Sequence, residues 1–299
     1  MKTINQVINN QYALYNGDCV DIIQSLPSDS IHYSIFSPPF AQLYVYSNSD
    51  RDMGNCKSQA EFIKHFKFLI KELYRVLKPG RLVSFHCMNL PTVKSRDGFI
   101  GIDDFRGDLI RAFVECGFIY HSEVCIWKNP VVAAVRTHAL GLLHKQLLKD
   151  STISRQGLPD YLVTMRKPGD NDEPVSGKLD KYVGDEPPEY DGSIKDSINI
   201  WQRYASPVWM DINQSDTLQY KSAKINDDEK HICPLQKQVI ERALQLWTNE
   251  CDTVLSPFMG IGTEGYVSLQ KKRKFIGVEL KESYFNCSIN NIKSLDDQS

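Results

Sequence analysis

Residues 253–279 read TVLSPFMGIGTEGYVSLQKKRKFIGVE and constrain the fold more than any other stretch. A short apolar strand runs into Gly260-Ile261-Gly262-Thr263, a helical stretch follows, and a second strand ends in Glu279. This is the physical form of a nucleotide-binding β-α-β unit. Glycines let backbone approach a ligand, and the helix N-terminus offers N–H groups with no partner in the helix. Glu279, 17 residues past Gly262, is placed to accept both ribose hydroxyl protons. A bare G-x-G also occurs in ordinary turns, but its position between strand and helix, with the acid at that distance, favours a ligand. Gly260, Gly262 and Gly265 formally fit the dinucleotide string G-x-G-x-x-G, so a nicotinamide oxidoreductase stays open at this point. No Lys-Ser or Lys-Thr follows the turn, which argues against a phosphate-gripping P-loop.

Both ends of the chain alternate strand and helix. Strands are expected at 12–15, 31–36, 81–88 and 118–127. Residues 59–77 place Phe62, Phe66, Leu69, Leu73 and Leu77 at helical spacing, with Pro79-Gly80 as the stop. A second helix is expected at 105–116. After the interval 129–231 the alternation returns, with helices at 234–247, 263–272 and 281–292 and strands at 253–255 and 275–279. The interval holds one good strand, at 160–165, and a run rich in Pro, Gly and Asp that reads as an extended loop. Two α/β segments flanking an irregular insert predict a single, mostly parallel sheet of Rossmann-like kind assembled from both chain ends.

The second informative stretch is Ser34-Ile35-Phe36-Ser37-Pro38-Pro39-Phe40. Prolines cannot donate to a sheet ladder, so the strand stops there, in a stiff corner tipped by a hydroxyl and a ring. Ser37-Pro38-Pro39-Phe40 resembles the catalytic (D/N/S)-P-P-(Y/F/W) motif of DNA amino-methyltransferases. Ser256-Pro257-Phe258-Met259-Gly260-Ile261-Gly262-Thr263 resembles their D-P-F-x-G-x-G-T cofactor loop. The catalytic motif comes first, as in the permuted β class. Tyr15–Cys19 resembles the "GD" segment of that class, Leu77–Arg81 its "LKPGG" turn, and Pro234–Lys237 its "HP-x-QKP" helix start. Ser256 departs from the usual Asp, Ile261 from a common Ser, and Cys233-Pro234 stands where His-Pro is usual, with His231 two residues away.

The resemblance implies an S-adenosylmethionine-dependent methyltransferase acting on an amino nitrogen of double-stranded DNA. Residues 1–128 would form its catalytic half, 129–231 its target-recognition region and loops, and 232–299 its cofactor-binding half. Ser37, Pro38, Pro39 and Phe40 would be catalytic. Asp18, Ser256, Phe258, Gly260, Gly262, Thr263 and Glu279 would hold the cofactor, with no metal. A cognate restriction enzyme and a homodimer stay open. The chemistry suits the residues. An exocyclic amino nitrogen is a poor nucleophile because its lone pair is delocalised into the ring. Ser37 Oγ and the Pro38 carbonyl can accept its two hydrogens from a rigid corner, and Phe40 can stack an extruded base. No proline is followed by cysteine, which argues against methylation of cytosine carbon 5. Serine at the head of the motif favours cytosine N4 over adenine N6. A DNA-binding module with a degenerate cofactor site is the non-enzymatic alternative, prompted by Ser256.

Composition adds bounds. A net charge of −2 means that a DNA face must be local. The eight cysteines stand singly with no C-x-x-C pair, which argues against zinc or a disulfide framework and for a reducing compartment such as the cytoplasm. No apolar run suits a membrane span or a signal core. Gln42–Asn55 is a candidate flap over the site. Arg136, His138, His144, Lys145 and Lys149 suggest a helix contacting phosphates, and Ser154-Arg155-Gln156 a triplet reading base edges. Lys271–Lys274 reads as a solvated helix end. His86 and Cys87, at a strand end, read as packing residues.

Overall fold

The protein is described by a computed structural model covering residues 3–39, 53, 56, 58–137, 141–176, 194–219 and 234–295. Strands β1 (Asn5–Ile8) and β2 (Tyr12–Asn16) precede helix α1 (Cys19–Ile23), and β3 (Ile31–Phe36) follows it. Helix α2 (Gln59–Val76) runs directly into β4 (Leu77–Cys87). A small two-stranded sheet of β5 (Leu90–Thr92) and β6 (Gly101–Asp103) encloses α3 (Lys94–Asp97). Next come α4 (Phe105–Glu115), β7 (Ile119–Ile126), α5 (Pro130–Thr137), α6 (His144–Leu147), β8 (Asp160–Arg166), α7 (Ile194–Tyr204) and β9 (Val208–Trp209). The C-terminal part is α8 (Lys237–Trp247), β10 (Thr253–Ser256), α9 (Thr263–Gln270), β11 (Lys274–Glu279) and α10 (Glu282–Lys293).

The large sheet has the order β1-β2-β11-β10-β3-β4-β8-β7-β9. The run β2-β11-β10-β3-β4 is parallel throughout. β8 is antiparallel to both β4 and β7, and β1 is antiparallel to β2. The two C-terminal strands, β11 and β10, therefore lie together between N-terminal strands β2 and β3, and the C-terminal edge of the parallel run collects the loops after β2, β11, β10, β3 and β4. The strand expected at 160–165 is β8, inside this sheet, and its reversed direction brings its first residue to the same edge.

Helices cover both faces. On one, α1, α2 and α4 bury Phe62, Phe66, Phe105 and Phe113 against Phe36, Phe85 and Val83. On the other, α8, α9 and α10 bury Val239, Ile240, Leu244, Val267 and Phe285 against Tyr33, Ile35 and Val254. Burying each of these side chains contributes roughly 1.5–3 kcal/mol. Residues alternate in a strand, so Phe36 faces the first layer while Ile35 faces the second. Helix α2 starts with a serine N-cap, the Ser58 hydroxyl accepting from the Glu61 N–H at 3.1 Å.

Two local expectations are corrected. Pro79-Gly80 does not terminate α2. The helix ends at Val76, and Leu77 is already paired with Ile31. Pro79 is tolerated because the β3–β4 register shifts between Ile31 and Tyr33, leaving an irregularity where a missing N–H costs nothing. The stretch 136–151 is not one helix either. Gly141 bridges to Arg155, and the Leu142 N–H donates to the Arg155 carbonyl at 2.7 Å, so the chain turns between α5 and α6. His138 lies outside the described residues, as do His231 and Cys233. Among the described residues no helix is long and apolar enough to cross a membrane, and the cysteines are free.

Candidate active site

β3 and β10 are neighbours, with Val254 opposite Tyr33 and Leu255 opposite Ser34. The Ser34 hydroxyl donates to the Leu255 carbonyl at 2.9 Å. The chain leaves β3 through Ser37-Pro38-Pro39 and leaves β10 through Pro257-Phe258, so the two loops depart side by side. They also touch beneath the surface. The rings of Phe36 and Phe258 have centroids 5.8 Å apart, and Phe66 of α2 lies 6.4 Å from Phe258. Pro38 is buried and Ser37 half-buried. Phe40, and the Gln42–Asn55 stretch apart from Met53, lie outside the described residues.

The glycine loop has the form that the sequence suggests. Gly260 and Gly262 adopt φ of +52° and +89°, a region that strains other residues. Gly262 is the N-cap of α9 with no side-chain cap, so the first turn of that helix faces the site. Thr263 opens the helix and is buried. Glu279 ends β11, next to β10. Its Oε2 accepts from the Gly260 N–H at 2.9 Å and its Oε1 from the Lys281 N–H at 2.9 Å. An ionised carboxylate can accept more than two bonds, so ribose hydroxyls suit it.

Asp18 caps α1, its Oδ1 accepting from Val20 and Asp21 N–H groups at 2.9 and 3.1 Å. The preceding Gly17 N–H donates to the Glu279 carbonyl at 3.0 Å, and the Asn16 amide donates to the same carbonyl at 2.8 Å. Asp18 therefore stands beside Glu279 at the edge of the sheet.

These residues fit a nucleoside-bearing cofactor. The Ser256 hydroxyl is fully buried and has no hydrogen-bond partner among the described residues. An orphaned buried polar atom carries a cost that a ligand would relieve. A Cβ on Gly260 would meet open space, as expected for backbone that a ligand approaches. A Cβ on Gly265 would come within 2.6 Å of the Phe275 ring, so this glycine serves close helix–strand packing.

His86, read from sequence as packing, is at the site. The β3–β4 ladder pairs Phe36 with Phe85, and one further step puts Ser37 beside His86. Ser37 Oγ lies 3.1 Å from His86 Nδ1, His86 Nε2 lies 2.9 Å from Asp160 Oδ2, and Lys128 Nζ pairs with the same carboxylate. The available signal was a polar residue at each strand boundary: His86 near the end of β4 and Asp160 at the start of β8. Only the register, which the sequence does not state, joins them. The residues His144, Ser154, Arg155 and Gln156 lie in the stretch between β7 and β8. There the Arg155 guanidinium donates to the Gln156 carbonyl at 2.8 Å.

Comparison with known proteins agrees with this architecture. A family model described as DNA methylase matches residues 31–290. The Type II methyltransferase M.BglII of Bacillus subtilis is 26% identical over 274 residues, covering 91% of this chain and 66% of its own length. M.BamHI of Bacillus amyloliquefaciens is 26% identical over 277 residues, covering 92% of this chain and 55% of its own. The chain thus spans between about half and two thirds of these relatives' lengths. Among solved structures, the cytosine-N4-specific PvuII DNA methyltransferase superposes with a TM-score of 0.66 at 19% identity, over 99% of this chain and 94% of that one. The fold is that of the S-adenosylmethionine-dependent DNA methyltransferases, and the chain belongs to the DNA methylase family.

Proposed function

We propose that the protein transfers a methyl group from S-adenosylmethionine to the exocyclic amino nitrogen of a base extruded from duplex DNA, with cytosine N4 as the target. The observation that supports this reading is the adjacency of β3 and β10, from which the Ser37-Pro38 and Pro257-Phe258 segments leave side by side. When bound, S-adenosylmethionine supplies an electrophilic methyl on a positively charged sulfur. Gly260, Gly262, Thr263, Phe258 and Ser256 would hold it, with Glu279 on the ribose and Asp18 beside it.

Ser37 Oγ and the Pro38 carbonyl accept the two amino hydrogens of the target. That draws the nitrogen lone pair out of conjugation with the ring and aims it. The prolines keep both acceptors fixed, so little reorganisation is needed when charge develops. Extruding the base costs a few kcal/mol. Stacking on Phe40 returns roughly 1–3 kcal/mol. Within 129–231, β8 and β9 belong to the methyltransferase sheet, and the rest of the interval supplies target recognition between the catalytic half at 1–128 and the cofactor half at 232–299. Exposed Val131, Leu147, Leu148 and Ile153 suit a partner surface there. A hydride-transfer reading would leave the proline corner without a role. The serine at the head of the motif supports cytosine N4, as does the specificity of the PvuII enzyme.

The test is direct. The full chain is incubated with S-adenosylmethionine and mixed-sequence duplex DNA, and the digested nucleosides are identified by mass. N4-methylcytosine is expected, and it should vanish with Ser37→Ala. N6-methyladenine would overturn the choice of base. Binding of the cofactor without any methylated nucleoside would overturn the reaction.

A further inference from the structure

A serine hydroxyl both donates and accepts, whereas a target amino group, itself a donor, needs an acceptor. The residues behind Ser37 decide between the two. Asp160 is 1% exposed, and its Oδ2 receives both His86 Nε2 and Lys128 Nζ. Burial works against its charge, but the Lys128 ammonium and the hydrogen bonds from His86 and Lys128 override it and hold the carboxyl down at about 2. The carboxylate is then purely an acceptor, so the ring proton of His86 sits on Nε2. In the neutral imidazole Nδ1 must accept, and the group it faces is the Ser37 hydroxyl. The Ser37 proton is drawn back into the protein, leaving the oxygen lone pairs to the substrate. The order is the reverse of the hydrolase triad, where Nε2 faces the serine, and no covalent serine adduct is implied.

We infer that His86, Asp160 and Lys128 are positioning residues that hold Ser37 as a hydrogen-bond acceptor and carry away the proton released by methylation. The inference rests on the amino-methyltransferase reading. In the transfer, the amino nitrogen forms its bond to the methyl carbon as the carbon–sulfur bond of the sulfonium donor breaks, with that electron pair staying on sulfur. The methylated nitrogen then carries one proton too many. Its N–H bond breaks toward Ser37 Oγ while the proton of Ser37 moves to His86 Nδ1. The resulting imidazolium faces the Asp160 carboxylate, and the proton returns to water by the same path once product has left. Among the described residues, the other charged groups near this cluster include Asp104 and the pair Arg106–Glu123, 2.8 Å apart. Burial pushes the neighbouring thiols of Cys87 and Cys125 up, so they stay neutral.

Two measurements on the full chain test this. Nitrogen-15 spectra of histidine-labelled protein report the tautomer without any turnover. His86 is expected with its proton on Nε2 and an accepting Nδ1 whose resonance moves in Ser37→Ala. A proton on Nδ1 overturns the inference. Single-turnover methyl transfer to duplex DNA is expected to slow about 100-fold in His86→Gln and Asp160→Asn, with the acid limb of the pH profile altered and S-adenosylmethionine affinity within about twofold of wild type. His86→Gln carries the test where Asp160→Asn unfolds. A folded His86→Gln with wild-type rate and pH profile overturns the relay while methyl transfer stands. A wild-type chain that binds cofactor and transfers nothing overturns the reading beneath it, and the tautomer alone then decides the hydrogen-bond chain.

Discussion

Glu264 follows Thr263 in the first turn of α9 and is only 4% exposed. Burial pushes its carboxyl from the ordinary 4.5 up to about 8; the charge of Glu279 adds to the rise, and a bond from its own backbone N–H opposes it. Glu264 is therefore a neutral acid at pH 7 in the folded protein and an anion in the unfolded chain. A group raised on folding contributes stability that is complete below 4.5 and is lost as pH climbs to about 8. The whole gap, at about 1.4 kcal/mol per pH unit, amounts to about 5 kcal/mol. Between pH 5 and pH 8 about 3–4 kcal/mol of it disappears. Glu264→Gln keeps the shape and removes the titration. Urea denaturation of both proteins across this range isolates the effect, because groups not coupled to Glu264 titrate equally in the two, and Glu279 beside it is the one charge named as coupled. The variant is expected to gain about 3–4 kcal/mol on the wild type between pH 5 and pH 8. A difference that stays constant across that range would refute the assignment of a buried neutral carboxyl beside the glycine loop.

Other outcomes follow from the same edge and from the opposite one. Gly262→Ala places a Cβ about 2.9 Å from that of Ser288 at a φ of +89°. It should weaken S-adenosylmethionine binding by at least about tenfold, measured by calorimetry, because strain of roughly 1–3 kcal/mol falls on the loop itself. Unchanged affinity would remove the loop from the site. At the far end of the strands, Arg81 and Asp252 form a buried ion pair at 2.6 Å, with side chains 2% and 7% exposed. Asp252→Ala strands a buried guanidinium and should cost about 3–5 kcal/mol in denaturant unfolding. A loss below about 1 kcal/mol would show that the pair is compensated elsewhere.

The regular elements were legible because their physics is local. The spacing of Phe62, Phe66, Leu69 and Leu73 specified α2, and the apolar run Ile31–Phe36 specified β3. The union of Ser37–Pro39 with Gly260–Gly262 was legible only through resemblance, since hydrophobic pattern gives no strand order. β1 and β9 escaped notice because one is a short, exposed edge and the other a two-residue strand. His86 was misread for a different reason. In the sequence it is one polar residue in a buried strand, and only cross-strand register distinguishes a core histidine from one set against the Ser37 hydroxyl.

The pairing of Lys128 with Asp160 has an evolutionary consequence. These two residues bracket the stretch 129–159, which leaves the sheet after β7 and re-enters it at β8 on one and the same rim. A loop pinched shut at its stem can be lengthened, shortened or exchanged while its roots stay anchored, because each doubling of an excursion adds only about 0.6 kcal/mol of closure entropy. On the proposed function, in which this stretch reads the target, sequence preference can diversify above the clasp without touching the sheet below it, and grafting 129–159 from one relative to another is the engineering route that tests it.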